Sequence, residues 1–148
     1  MTRFLLDTNV LVYGVDVADP VKQARAIDVI RWARGRGGMV STQVVGEFVR
    51  AVTTRIAPPL RRCDAVGLAR EYLLEWPVLT VEPITTVEAL RGFAEHGLSW
   101  WDAQLWATAR MSGVPVIVTE DFEDGRVIDG IRFTDPFAEG FEVASLEA

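Results

Sequence analysis

The chain has 148 residues, of which 49% are hydrophobic and 24% charged, the composition of one globular domain that can bury a core. Its 15 basic and 21 acidic residues give a formal net charge of −6, which argues against a broadly basic surface for nucleic acid. The one cysteine, Cys63, excludes an internal disulfide and a thiolate metal site, and the longest apolar stretches are too short to span a membrane.

The first residues do not have the form of a signal peptide, because Asp7 interrupts the apolar run after only three residues. We therefore expect a cytoplasmic protein that has no membrane partner. No repeat, low-complexity tract or linker divides the chain. The expected organisation is a single domain over residues 1–148, with a core at about 3–137 and a tail at 138–148.

The chain alternates short apolar runs with segments of helical periodicity. The predicted strands are residues 4–6, 39–41, 78–81, 115–119 and 131–134. A helix is expected to begin at Asp19-Pro20 and to end before Gly35, and another to follow the second strand until Pro58-Pro59. Further helices are predicted at about 62–75, 85–96 and 100–111.

Alternating strands and helices predict an α/β fold with a parallel sheet covered by helices on both faces. Right-handed crossovers bring the carboxyl ends of all parallel strands to one edge of the sheet. Ligands of such sheets bind in the crevice at that edge. Side chains that directly follow a strand are therefore the first candidates for a functional site.

Four acidic residues stand at positions that could meet at this edge. Asp7 directly follows the first strand, and Asp121 follows the fourth strand by two residues. Asp102 lies in the first turn of its predicted helix, on the face of apolar residues that should point toward the sheet. Glu47 lies near the start of the helix after the second strand, beside its apolar stripe.

Each acid also has a purely structural interpretation. Asp7 could begin an Asx-turn, and Asp102 could complete a capping box with Ser99. Glu47 could be a solvated helix residue, and Asp121 could belong to a polar turn. Considered together the acids are more informative, because carboxylates gathered at about 4–6 Å raise one another's pKa unless a cation is present. Mg²⁺ and Mn²⁺ prefer such oxygen ligands and can activate water at a phosphodiester.

The other residues with possible chemical roles give weaker indications. His96 is the only histidine and has no Gly-x-Ser-x-Gly elbow to act with, so a surface position at a helix end is expected. Trp100 and Trp101 are expected to pack the Asp102 helix in place, with base stacking as the alternative. Fourteen of the basic residues are arginine, clustered at 31–36 and 55–62, and these could bind phosphates or simply solvate helices.

Four motifs in sequence order resemble those of PIN-domain proteins. They are Leu5-Leu6-Asp7-Thr8-Asn9-Val10, Glu47-Phe48 after Ser41-Thr42, Leu98-Ser99-Trp100-Trp101-Asp102-Ala103, and Val118-Thr119-Glu120-Asp121-Phe122. The segment from Asp124-Gly125 to Asp135-Pro136-Phe137 is similar to the compact bacterial VapC-type toxins of type II toxin–antitoxin systems in particular. The resemblance covers nearly the whole chain.

This resemblance implies a five-stranded parallel sheet in which the first and fourth strands are neighbours. It implies Mg²⁺- or Mn²⁺-dependent endoribonuclease activity on structured RNA, often tRNA or ribosomal RNA. It also implies a homodimer and a cognate antitoxin that inserts a segment into or near the acidic cleft. The alternative is a non-catalytic PIN-like module that binds RNA or a protein.

The resemblance also assigns roles to individual residues. Asp7 and Asp102 are expected to ligate the metal directly, Asp121 to hold a metal or its water, and Glu47 to act through a bound water. A further group is expected to orient these acids or to lie near a second metal: Thr8, Asn9, Thr119 and Asp124.

Overall fold

A computed structural model describes residues 1–147, and its central feature is a six-stranded sheet. The strands are β1 (Phe4–Leu6), β2 (Gly38–Ser41), β3 (Val78–Leu79), β4 (Val116–Val118), β5 (Val127–Ile128) and β6 (Ile131–Thr134). Their spatial order is β3-β2-β1-β4-β6-β5. All neighbours are parallel except β5 and β6, which are antiparallel. Every residue of β1 and β4 is buried, so helices and loops cover both faces of the sheet centre.

The predicted α/β class is confirmed, and β1 and β4 are neighbours as expected, with Leu6 opposite Val118. The predicted strand count was one too few, and the sheet is mixed rather than wholly parallel. The additional strand, β5, forms a hairpin with β6 through Asp129 and Gly130, whose φ angles are 45° and 81°. Two successive positive φ values define the tight turn that Asp-Gly favours, so this dipeptide was a signal for the hairpin.

The helices are α1 (Thr8–Tyr13), α2 (Pro20–Ala33), α3 (Thr42–Thr54), α4 (Arg62–Glu75), α5 (Pro83–His96) and α6 (Trp100–Met111). Three of the predicted helices, α2, α3 and α6, begin at side-chain caps that the sequence allows. Asp19 Oδ1 accepts a hydrogen bond from the Lys22 amide at 3.1 Å, and Ser41 Oγ accepts one from the Val44 amide at 3.1 Å. Ser99 Oγ accepts one from the Asp102 amide at 3.3 Å, so the expected cap of the last helix is present.

The short helix α1 was not predicted. It starts directly after Asp7, which is its N-cap and accepts a hydrogen bond from the Thr8 amide at 2.6 Å. Six residues are too few to show a helical period, but Val10 and Leu11 are buried against the core. The helix turns the chain at the carboxyl end of β1 and fixes the position of Asp7.

The segment expected to be a tail contains a short 3-10 helix at Val143–Glu147. Its Leu146 is only 3% exposed and belongs to the hydrophobic core, so this segment packs on the domain. The last residue of the predicted tail, position 148, lies outside the described residues.

Helices α5 and α6 pack against each other at Trp106. Trp106 is fully buried, and its indole N–H donates to the carbonyl oxygen of Ile128 at 3.1 Å. Gly92 of α5 lies against the same ring, since a Cβ added there would stand 2.7 Å from a ring carbon of Trp106. Across residues 1–147 every helix is either too short or too polar to cross a bilayer.

Candidate functional site

The site is centred on Asp7, whose side chain is buried where β1 ends. Its backbone amide donates to the carbonyl oxygen of Val118 at 3.0 Å, which extends the β1–β4 pairing to the residue after the strand. Thr119 therefore lies beside Asp7, and the Thr119 hydroxyl donates to Asp7 Oδ2 at 2.7 Å. Asp7 is 6% exposed and Thr119 is fully buried. The topology thus brings together two side chains that are 112 positions apart in the sequence.

Asn9 and Thr119 connect the end of β1 to the loop after β4. Asn9 Nδ2 donates to Thr119 Oγ1 at 3.1 Å and lies 3.3 Å from Asp7 Oδ2. The Asp121 amide donates to Thr119 Oγ1 at 3.1 Å, and the Glu120 amide to Asn9 Oδ1 at 3.4 Å. These hydrogen bonds are of the kind expected of residues that orient the acids.

Glu47 is held by two hydrogen bonds rather than left free in solvent. Its carboxylate accepts a hydrogen bond from the Thr8 hydroxyl at 2.9 Å and another from Gln43 Nε2 at 2.8 Å. Thr8 belongs to α1 and Gln43 to α3, so both helices fix the direction of Glu47. This arrangement argues against the simple interpretation of Glu47 as a solvated helix residue.

The four acids expected from the sequence line one cavity of about 320 Å³. They are Asp7, Glu47, Asp102 and Asp121. Thr8 and Asn9 also line this cavity, whereas Thr119 supports it from the buried side. Asp124 is not part of its wall, because this exposed residue lies in the next turn and its carboxylate accepts a hydrogen bond from the Asp135 amide at 2.9 Å.

The electrostatics of the cavity show that the acids act on one another. Burial raises the pKa of Asp7 to about 7, against the opposing effect of hydrogen bonds from Thr119 and the Thr8 amide. The negative charges of Asp121 and Glu47 raise it further. The pKa of Asp121 is also raised, first by burial and then by nearby carboxylates that include Asp102, while hydrogen bonding to Asn9 lowers it.

None of the four acids forms an ion pair within residues 1–147, where the ion pairs all involve other acids. The donor set consists of carboxylate oxygens, which suits a hard divalent ion. In the same part of the chain no three acidic, histidine or cysteine side chains are close enough together to hold an ion as they stand. The two observations are compatible, because Mg²⁺ keeps several waters and takes only one or two carboxylates directly.

Four polar side chains at or beside the cavity were not among the predicted site residues: Tyr13, Lys22, Gln43 and Glu120. Glu120 lines the cavity, and its carboxylate accepts from Tyr13 Oη at 2.8 Å and pairs with Lys22 Nζ at 2.7 Å. Lys22 is the only lysine of the chain, which could have drawn attention to it, but nothing local connects it to Glu120. Although Lys22 pairs with Glu120, the negative charge of Glu120 still contributes to raising the pKa of Asp121.

Gln43 is a fourth missed residue, and it connects α3 to α6. Besides its bond to Glu47, Gln43 Nε2 donates to the carbonyl oxygen of Trp101 at 3.2 Å. Its Oε1 atom is buried and accepts no hydrogen bond from the described residues. Trp101 does not pack the helix in place as expected, since it is 59% exposed beside the cavity. Its neighbour Trp100 is half-buried against Phe93, with ring centroids 6.2 Å apart.

Comparison with known proteins gives a consistent family assignment. The family model of the PIN domain matches residues 4–127. No curated protein matches the chain in sequence. Among solved structures, the chain is similar to VapC20 of Mycobacterium tuberculosis, a sarcin–ricin loop cleaving toxin, with 19% identity and a TM-score of 0.63 over 77% of this chain and 86% of that one.

Two toxin–antitoxin complexes have the same fold. DNA-bound VapBC from Salmonella typhimurium is 20% identical with a TM-score of 0.65, over 92% of this chain and 99% of that one. A toxin–antitoxin complex from Klebsiella pneumoniae is 17% identical with a TM-score of 0.65, over 90% of this chain and 97% of that one. At these identities the likeness establishes the shared fold.

Proposed function

The chain belongs to the PIN domain family, and from this premise we propose that it is a metal-dependent endoribonuclease, the VapC-type toxin of a toxin–antitoxin pair. One observation carries the proposal. Four carboxylates from four separate segments line one cavity, and none of them forms an ion pair with a protein cation in residues 1–147. A protein that only needed these residues for folding would gain stability by replacing or pairing them.

Asp7 and Asp102 are the proposed direct ligands of Mg²⁺ or Mn²⁺, with Asp121 holding the ion or its water and Glu47 acting through a bound water. Such an ion would supply an activated water and stabilise negative charge at the phosphodiester. The protein's own contribution is to hold the carboxylates in place. Thr119 fixes one oxygen of Asp7, while Thr8 and Gln43 fix Glu47, so the acids need little rearrangement when charge is compensated.

The proposed substrate is a structured RNA, such as tRNA or ribosomal RNA. The cavity is open to solvent, and the four acids lie in its wall. A polymer could therefore enter without threading. The M. tuberculosis relative is described as cleaving the sarcin–ricin loop, which supports RNA as the substrate class for this chain.

The proposed protein partners are an antitoxin and a second copy of the chain, in the cytoplasm. The Salmonella and Klebsiella neighbours are toxin–antitoxin complexes, which supports the first. Exposed apolar side chains on α5 support the second, because more than half of the surface of each is accessible: Ile84, Val87, Leu90 and Phe93.

The alternative is a PIN-like module that binds RNA or protein without cleavage. The observation in its favour is that no three candidate ligands in residues 1–147 are gathered closely enough to hold an ion as they stand. Saturable RNA binding without cleavage of several RNAs in both Mg²⁺ and Mn²⁺ would establish this alternative.

The decisive experiment is cleavage of total RNA by the purified protein in Mn²⁺ or Mg²⁺, with EDTA to stop it. Asp7→Asn should abolish cleavage, because it removes a charge from the proposed metal site. Glu123→Gln removes the same charge from an exposed position outside the cavity and should cleave like the parent. An Asp7→Asn protein that remains active after contaminating nuclease is excluded would end the assignment.

A further inference from the structure

The acidic cavity continues along α3 into a second groove of about 540 Å³. Six residues line both: Thr8, Gln43, Glu47, Ala51, Arg55 and Trp101. The wall of the second groove also contains Arg50 and Thr42, the first residue of α3. We call this second space the arginine–tryptophan groove, after Arg50, Arg55 and Trp101 in its wall. It is therefore an extension of the site rather than a separate depression.

Charge changes sign along this wall. Glu47, Arg50 and Arg55 follow one another on α3 and at its end, so the arginines lie up to about 12 Å beyond the acid along the helix axis. Both arginines are exposed, and neither takes part in an ion pair among residues 1–147. Their guanidinium groups are thus available to an anion that reaches out of the cavity.

The part of the cavity wall away from α3 has no unpaired positive charge of this kind. There the wall contains Asp16 and Glu120, and the nearby Lys22 is already paired with Glu120. The arginine cluster at 31–36 lines a different cavity, and Arg34 within it is engaged by Glu71 and Glu75. A polyanion centred on the acids would consequently find unpaired positive charge in the direction of Arg55 and Arg50.

Trp101 adds a flat apolar surface to the same groove. It directly precedes Asp102, and its backbone carbonyl is held by Gln43, so the position of the residue is fixed although 59% of it is exposed. A side chain this exposed contributes little to the packing of the core. An exposed aromatic ring beside unpaired arginines is the combination that proteins use to bind single-stranded nucleic acid, with bases stacked on the ring and phosphates on the cations.

We propose that the arginine–tryptophan groove seats an unpaired segment of RNA next to the phosphodiester at the acids, with a base on Trp101 and phosphates on Arg50 and Arg55. This inference rests on the proposed function and names the substrate feature that the site selects. It also answers the objection raised by the net charge of −6, because the strand would be guided by the two local cations of this wall and would not need a broadly basic surface.

The test measures binding of a short, fluorescently labelled single-stranded RNA of mixed sequence, in an Asp7→Asn background that prevents cleavage. Arg50→Gln combined with Arg55→Gln should reduce the slope of log affinity against log salt by about 1.4, since each lost phosphate contact on a single strand contributes about 0.7. Arg62→Gln combined with Arg70→Gln removes the same charge from exposed positions on α4 and should leave the slope unchanged.

Trp101 is tested by a pair of substitutions. Trp101→Leu should weaken RNA binding roughly tenfold, whereas Trp101→Phe should keep most of the affinity because it retains a stacking ring. Equal affinity and equal salt slope in all variants would overturn the inference. It would also be overturned if the variants bound RNA normally but changed self-association in sedimentation, since the groove would then be a protein interface.

Parallel cleavage assays, with the groove variants made in the parent chain that keeps Asp7, separate this inference from the proposed function. Normal cleavage by all groove variants, with unchanged KM, would rule out RNA binding in the groove but would not contradict the proposed nuclease function. If the chain never cleaves RNA but binds it in a way that depends on the groove residues, the proposed nuclease function would be wrong and the proposed RNA-binding role of the groove would stand.

Discussion

Thr119 and Asp7 join the ends of β4 and β1 through a hydrogen bond of 2.7 Å that is buried from solvent. The Thr119 hydroxyl donates to the carboxylate and accepts from Asn9 and from the Asp121 amide. One small side chain therefore holds three parts of the site together. Its donated proton also favours the charged form of Asp7, against the burial that disfavours it.

Thr119→Val should raise the pKa of Asp7 above its value of about 7, because the hydrogen bond that lowers it is lost. It should also cost roughly 1–3 kcal/mol of unfolding free energy, since Asn9 and the Asp121 amide lose their acceptor. Titration of the Asp7 carboxyl carbon by NMR in EDTA measures the first effect. Thr119→Ser keeps the hydroxyl and should titrate like the parent, and an unchanged pKa in the valine variant would contradict the prediction.

Asp7→Asn should make the metal-free protein more stable at pH 8 and have little such effect near pH 4. The pKa of Asp7 is 3.8 in the unfolded chain but about 7 in the folded one, so Asp7 stays protonated to a higher pH in the folded state. Below pH 3.8 both states are protonated. Between pH 3.8 and about 7 the folded state binds more protons than the unfolded one, so stability is lost across this window, by up to roughly 4 kcal/mol in total. Asparagine removes this loss.

Urea unfolding in EDTA at the two pH values measures this difference. Glu123→Gln, which removes one exposed acid, serves as the control for a general change of net charge. A variant that is no more stable than the parent at pH 8 would mean that the folded protein already tolerates a charged Asp7.

Mn²⁺ should raise the melting temperature of the parent protein, and more at pH 8 than at pH 6. The ion competes with the proton that Asp7 holds below pH 7, so alkaline conditions favour the ion. At a concentration one hundred times the Kd the gain is about 2.7 kcal/mol. Thermal unfolding with and without EDTA measures it, and Asp7→Asn should lose most of the shift. Equal shifts in parent and variant would place the ion elsewhere.

Gly92→Ala should destabilise the fold by roughly 1–3 kcal/mol, because its methyl group would meet the buried ring of Trp106 at 2.7 Å. Gly67→Ala is the matched substitution in α4, where an added Cβ meets nothing within 4 Å. It should stabilise by roughly 0.5–1 kcal/mol through helix propensity. Urea unfolding of both variants checks the opposite signs, and a loss of stability in both would contradict the packing argument.

The parts of the fold that the sequence predicts are those with a long or unambiguous pattern. Helix α4 was predicted at 62–75 and α6 at 100–111, and both occupy these ranges, because helix-breaking residues mark their limits: Pro58-Pro59 before α4, Pro77 after it, and Gly97 before α6. The strand before Asp7 was equally clear, since three apolar residues end at an acid. These elements, with the parallel topology, place Asp7 at the carboxyl edge of the sheet. Its position beside the end of β4 followed only from the resemblance to PIN-domain proteins, which implies that the first and fourth strands are neighbours.

The remaining parts depend on contacts between distant residues. The hydrogen bonds of Glu120 with Lys22 and Tyr13 join positions about 100 apart, so no local sequence pattern predicts them. The two-residue strand β5 is a local exception: it is too short to show a period of its own, and only the Asp129-Gly130 turn indicated it. Trp101 was expected to pack inward since tryptophan usually does, but the start of α6 leaves its side chain outside the core.

The two strands at the margins of the sheet, β3 and β5, are only two residues long each. An edge strand exposes backbone N–H and C=O groups that can pair with a strand from another molecule, and the risk of aggregation grows with its length. In residues 1–147 both margins therefore offer little template for such pairing. A contact with another molecule therefore has to use the surfaces of helices and loops, because the sheet offers almost no edge to continue.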